Sequence, residues 1–176
     1  MEGEISYVPA EGQAIAATRD WYFDVLCRRR TLLKMIGLWL LMGAAFIPLL
    51  WTPEDGPQAV ATTFAAGAVA AFAVTCVVWG LSYLLLRPRA RRLFRQVKAR
   101  QGVHTWRWSP DGFALTTPNG SVRYAWRELH GFAEGRNAFL LYFHERHYLA
   151  LPRDVLTPAQ QESFAAAYRA GSGTPA

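Results

Sequence analysis

Two long apolar stretches, Leu32 to Trp51 and Ala59 to Leu86, stand back to back, separated by the acidic turn Thr52-Pro53-Glu54-Asp55-Gly56-Pro57. A helix rises about 1.5 Å per residue and a bilayer's hydrocarbon core is about 30 Å thick, so roughly 20 apolar residues cross it. Each stretch meets that length, and together they predict a transmembrane helical hairpin. From Ala59 to Leu86 there is no Asp, Glu, Lys, Arg or His, and the ionisable groups are the thiol of Cys76 and the phenol of Tyr83. In the first stretch Lys34 lies near enough to the start to extend its ammonium to the headgroups.

The mean hydropathy of +0.04 resembles that of a soluble protein because polar flanks dilute the two apolar blocks. The net charge of +6 is just as uneven. Arg28-Arg29-Arg30 precede the first span, while Arg87, Arg89, Arg91, Arg92, Arg95, Lys98 and Arg100 follow the second with no acid among them. Basic flanks are retained on the cytoplasmic side, so both termini are expected there, with Glu54 and Asp55 opposite. Residues 1 to 27 lack the basic start, apolar core and small-residue cleavage site of a secretory signal peptide. Cys27 and Cys76 read as packing residues, not as a disulfide.

Helices in lipid associate through close packing at small residues and a few hydrogen bonds. Thr63, Gly67, Ala71 and Thr75 recur every fourth position on the second span, and Gly37 and Gly43 offer a complement on the first. That surface suits a hairpin or a homo-oligomer. Neither span has a central acid, base or histidine, and nothing points to transport. Residues 87 to 101 read as a basic amphipathic helix, with Ala90, Leu93, Phe94 and Val97 at helical spacing among the arginines, suited to an anionic inner leaflet. Nucleic acid is not the expected partner, since no recognition motif or base-stacking pattern accompanies the run.

From Gly102 the texture changes to period two. Val103 to Trp108, Phe113 to Thr117 and Ser121 to Trp126 read as strands of a meander, joined by Ser109-Pro110-Asp111-Gly112 and Pro118-Asn119-Gly120. Both residues of Asn119-Gly120 are expected to take positive φ. Val122, Tyr124 and Trp126 are expected on the buried face, and Trp126 to Leu129 as a helical turn. Ala138 to Phe143 and Tyr148 to Leu151 are expected at the centre of the sheet. A terminal helix has Thr157 as cap, Pro158 at its first position, Gln160 completing a capping box, and Gly171 at its end, with Phe164 and Tyr168 plugging the sheet. Residues 172 to 176 are expected to be a disordered tail.

So small a sheet needs support. Glu4 to Val8 reads as a strand cut off by Pro9, and the topology places it on the same side of the membrane. It is expected to add an edge to the C-terminal sheet, making the hairpin an insertion within one domain. Residues 1 to 31 thus comprise a strand and a membrane-proximal helix, whose Trp21, Tyr22 and Phe23 are expected at the headgroup boundary. The spans occupy 32 to 86, the linker helix 87 to 101, and the cytoplasmic domain 102 to 171.

Several linked features resemble the YcxB-like family of bacterial membrane proteins. Asp111-Gly112 opens a hairpin, Trp126 and Leu129 follow the family's Trp-x-x-aliphatic pattern, Glu134 comes next, and Leu149-Ala150-Leu151 ends in Pro152-Arg153. Val155 departs from the family's usual aromatic. The resemblance implies an α+β membrane protein of the bacterial inner membrane, with a pleckstrin-homology-like domain formed by a bent antiparallel sheet closed by a C-terminal helix. It implies no activity.

The residues do not point to catalysis. Of the four histidines, His144 and His147 sit in a hairpin turn, not at ligand spacing on a helix, and His104 alternates with Trp106 and Trp108 along a strand. There is no nucleophile elbow, Walker loop or acid cluster, and no cofactor or metal is expected. The two meander loops hold no Lys or Arg to capture a lipid headgroup. Binding of a protein partner at an exposed sheet edge is the expected function, with homo-oligomer assembly as the alternative.

Overall fold

A computed structural model describes residues 2–50, 56–96, 102–144 and 147–172, without the side chains of 49 and 50. The acidic residues Glu54 and Asp55, Trp51 at the end of the first apolar stretch, the basic residues Lys98 and Arg100, and most of the expected tail lie outside the described residues.

The chain runs β1 (Gly3–Tyr7), α1 (Glu11–Cys27), α2 (Arg29–Leu50), α3 (Pro57–Gln96), β2 (His104–Ser109), β3 (Gly112–Thr117), β4 (Gly120–Ala125), β5 (Gly131–Glu134), β6 (Ala138–His144), β7 (His147–Pro152) and α4 (Pro158–Gly171). It divides into two compact units: residues 1–21 with 86–176, and residues 22–85.

In the second unit, α2 and α3 are long and apolar enough to cross a membrane. Only 6% of the most apolar window of each is buried, unlike the core helix of a soluble domain. Their seam uses the small residues expected. A Cβ on Gly43 would lie 2.9 Å from the Phe64 carbonyl oxygen, and one on Gly67 would lie 3.0 Å from the Phe46 side chain. Thr75 Oγ1 accepts from Trp39 Nε1 (3.1 Å) and donates to the Ala71 carbonyl (2.7 Å). Thr63 and Ala71 are half-buried on the same helix. Gly37 differs from expectation: it is exposed, with open space where a side chain would project. Tyr22 and Phe23 sit against Tyr83, and the Tyr22 hydroxyl donates to the Trp79 carbonyl (2.9 Å).

The first unit contains two antiparallel sheets, β1-β2-β3-β4 and β5-β6-β7, where one bent sheet was expected. Before the apolar hairpin, β1 leaves the sheet that β2 rejoins after it; Gly3 pairs with Trp108 and Tyr7 with His104. The hairpin is therefore inserted between neighbouring strands of one sheet, as the strand-like Glu4 to Val8 anticipated. Gly131–Glu134 forms an unanticipated strand, paired with Phe139–Tyr142. It escapes sequence reading because it is short and shows no clear alternation. That strand puts β6 at the centre of its sheet and β7 at the edge, not both at the centre.

One core lies between the sheets and α4. Trp106 and Trp108 of β2, Phe113 of β3, Trp126, and Phe139 and Leu141 of β6 surround Phe164, which is fully buried. Phe164 meets the rings of Trp108, Trp126 and Phe139 at 5.4, 5.5 and 5.2 Å. Burial of such a ring contributes roughly 1.5–3 kcal/mol. Thr157 and Gln160 form the expected capping box at the start of α4. Val122 corrects another expectation: it is 44% exposed, because β4 is a short edge strand that ends the sheet.

The other face of β6 is also apolar, which explains its unbroken run. Ala138, Leu140 and Tyr142 pack with Ala17 of α1. Trp21 joins them, stacked on Tyr148 at 5.8 Å, so it belongs to this core instead of serving as one of three boundary aromatics.

Candidate functional site

The hairpin and strand-end motifs assemble braces within the sheets. In the β2–β3 turn, Asp111-Gly112 leads into the pair Ser109–Gly112, and a side chain at Gly112 would strike the Tyr124 carbonyl. Trp126 is buried and donates from Nε1 to the Ser109 carbonyl (2.8 Å). Leu129 packs on the same core. Arg153 follows Pro152 at the end of β7, and donates to the Gly135 carbonyl (3.1 Å) and Gln161 Oε1 (2.9 Å), its guanidinium over Phe139. Glu134 pairs with Arg169 of α4 at 2.8 Å. These residues hold the β5–β6 turn and α4 to the sheets.

Asp20 was not singled out by the sequence. It is 9% exposed, and its carboxylate accepts from the backbone N–H of Asn137 (2.6 Å), the Asn137 side-chain amide (2.8 Å) and the backbone N–H of Ala138 (2.9 Å). The carboxylate therefore clasps α1 to the β5–β6 turn. An acid within an apolar helical stretch is the signal that could have exposed it; its partners, more than a hundred residues away in the chain, could not be read.

The basic run divides. Arg87, Arg89, Arg91, Arg92 and Arg95 continue α3 and are exposed, whereas Ala90 between them is buried. Arg91 and Arg95 pair with Glu11 at 2.5 and 3.6 Å, so part of the run holds α1. His144 and His147 are exposed and stacked at 5.4 Å. Among the described residues no three His, Cys, Asp or Glu side chains gather to hold a metal.

Two surfaces remain. The first is the β4 edge. Thr117–Gly120 closes a two-residue turn, Gly120 having φ +143 while no described non-glycine residue, Asn119 included, has positive φ. In such a hairpin the hydrogen-bonded pairs alternate from the closing pair, so the backbone groups of Ser121, Arg123 and Ala125 point away from β3. Ala125 N–H is taken by Glu128 (3.0 Å), leaving Ser121 and Arg123 at the free edge. By contrast, the β1 edge is partly covered by Gln160, which donates to the Glu4 carbonyl (3.4 Å). An open groove of about 920 Å³ crosses the sheet beside the β4 edge, with Glu4 paired to Arg107 at 3.0 Å and Arg123 beyond.

The second is a cavity of about 350 Å³ walled by α1, Leu93 and Phe94 of α3, β1, β2 and β7. Burial pushes the Tyr7 phenol in its wall from 10.0 up to about 12, with the Trp106 indole opposing that rise. The folded chain therefore keeps this proton to higher pH than the unfolded chain, so the associated stability is complete below pH 10 and is lost as pH rises to about 12. Tyr7→Phe is expected to flatten that part of the alkaline transition, followed by tryptophan fluorescence.

Comparison with curated proteins and with solved structures found no match. Residues 108–167, from the end of β2 into α4, are similar to the family described as YcxB-like protein.

Proposed function

We propose that this chain is a multi-pass protein of a bacterial inner membrane, with both termini cytoplasmic, whose pleckstrin-homology-like domain serves as a protein-binding or scaffolding module without catalytic activity. The two exposed apolar helices and their basic flanks support the membrane placement. Four- and three-stranded antiparallel sheets closed by α4 support the pleckstrin-like reading. The free edge of β4 carries the binding assignment: Ser121 and Arg123 present unpaired strand groups beside an open groove, the geometry that receives an extended segment as an added strand.

Arg123→Pro tests it. The Arg123 N–H points outward, so proline removes the edge donor without breaking the β3–β4 ladder. A photo-crosslinker at Val122 in the full-length chain is expected to capture a stoichiometric foreign protein, and Arg123→Pro to abolish capture while tryptophan fluorescence stays native. Self-crosslinks alone would assign the edge to a second copy of the chain. Capture unchanged by the proline would overturn the edge assignment.

A further inference from the structure

We infer that the β4 edge selects an extended partner segment that reads small residue, acid, aliphatic, hydroxyl, the order that Gly3-Glu4-Ile5-Ser6 has in β1. The inference rests on the edge reading proposed above and names the chemistry of its occupant. On either side of β3, β2 and β4 run in the same direction and carry the same order of side chains, Thr105-Trp106-Arg107-Trp108 and Ser121-Val122-Arg123-Tyr124. The registers align them row by row: Thr116 joins Thr105 to Ser121, Leu115 joins Trp106 to Val122, and Ala114 joins Arg107 to Arg123. Each matched pair therefore lies on one face of the sheet, with Trp106 and Val122 on the core side.

The pairing of β1 shows what such a strand receives. Against β2, Glu4 pairs with Arg107 at 3.0 Å, Ser6 Oγ meets Thr105 Oγ1 at 2.8 Å, and Ile5 lies opposite Trp106 and packs on the core. On β4 the corresponding groups lack that complement. Arg123 faces Ala114 across the ladder and has no carboxylate partner among the described residues, although Glu2 and Asp111 line the same groove. Val122 is left exposed at the rim of the core. An antiparallel strand bonded to the backbone of Ser121 and Arg123 would set an acid opposite Arg123, an aliphatic residue opposite Val122 and a hydroxyl opposite Ser121, all in one register. The acid–arginine pair would then be a hydrogen-bonded one, where on β2 it is not, but directly opposite residues share a face in both cases. A second copy is not the expected occupant. Its own β1 is held in its core through Ile5 and Tyr7, and Gln160 already takes the Glu4 carbonyl on the outer edge of that strand.

The test uses the full-length chain in lipid nanodiscs, with a photo-crosslinker at Val122 and a synthetic peptide of residues 2–8 as probe. Adducts at Val122 report occupation of β4, not of β2. The peptide is expected to label the chain, and its Glu4→Lys version to label it roughly tenfold less, because attraction becomes repulsion across one pair. The Glu2→Lys peptide, with the same net charge, should label nearly as well as the parent. In an Arg123→Glu chain with native tryptophan fluorescence the preference should reverse toward the Glu4→Lys peptide, and Arg123→Pro should abolish labelling by all three. Labelling that ignores both charge changes yet is lost in Arg123→Pro would overturn the selection and leave the edge as a docking site. Labelling that survives Arg123→Pro would overturn both. Absence of labelling by any peptide, or self-adducts between copies that exclude the peptide, would also overturn the selection, the latter assigning the edge to a second copy.

Discussion

Deleting residues 1–9 is expected to unfold the domain formed by residues 102–171, although those nine residues are remote from it in the chain. The deletion removes β1 and strips the β2 edge of its partner along five paired positions. It also takes Ile5 and Tyr7 from the core cluster that contains Trp106 and Trp108. The loss of strand hydrogen bonds and apolar cover is on the order of 5 kcal/mol, comparable to the whole stability of a small domain. Limited proteolysis should cut within β2 to β4 in the truncated protein and spare them in the full-length one. Equal protease resistance of residues 103 to 170 in both would show that β1 contributes nothing essential.

The second large effect is expected at Asp20. Asp20→Ala leaves the part-buried backbone amide of Asn137 and the buried one of Ala138 without an acceptor and removes a bond to the Asn137 side chain. At about 1–3 kcal/mol for each unsatisfied donor, the loss should reach about 3–5 kcal/mol. Asp20→Asn separates the hydrogen bonds from the charge. Both backbone amides bond to the same oxygen, Oδ2, which an asparagine carbonyl can replace. Rotation of the Asn137 amide then avoids a donor facing a donor, so the expected cost is only about 1 kcal/mol. Denaturant unfolding monitored by tryptophan fluorescence distinguishes the two variants. Equal losses would mean that the negative charge, not the pair of acceptor bonds, holds α1 in place.

The accuracy of the sequence reading depended on how local each determinant was. The capping box at Thr157 and Gln160, the turn at Pro118-Asn119-Gly120 and the alternation of Trp106 and Trp108 act over a few residues, and the elements appear where those signals place them. The small-residue seam at Gly43, Gly67 and Thr75 was legible for the same reason, although Gly37, chosen by residue type alone, lies away from it. The motif residues Trp126, Glu134 and Arg153 could be located in the chain, but not their work as braces, because each partner comes from another element.

The candidate sites were less visible. The β4 edge follows from strand order, which depends on β1 entering on the opposite side of the sheet and on β5 starting a second one. The cavity draws its walls from α1, α3, β1, β2 and β7, and no local pattern unites them.

Composition and periodicity along the chain were enough to establish two apolar helices, a strand-rich region, a closing helix and a stray strand near the start, since hydrophobic spacing and capping are short-range physics. Register and enclosure settled the rest: that β1 completes the sheet across the inserted hairpin, and that Asp20 grips a distant turn. Those features arise when separate elements bury their surfaces against one another, and the cost of an unpaired polar group or an open strand edge exists only once they have done so.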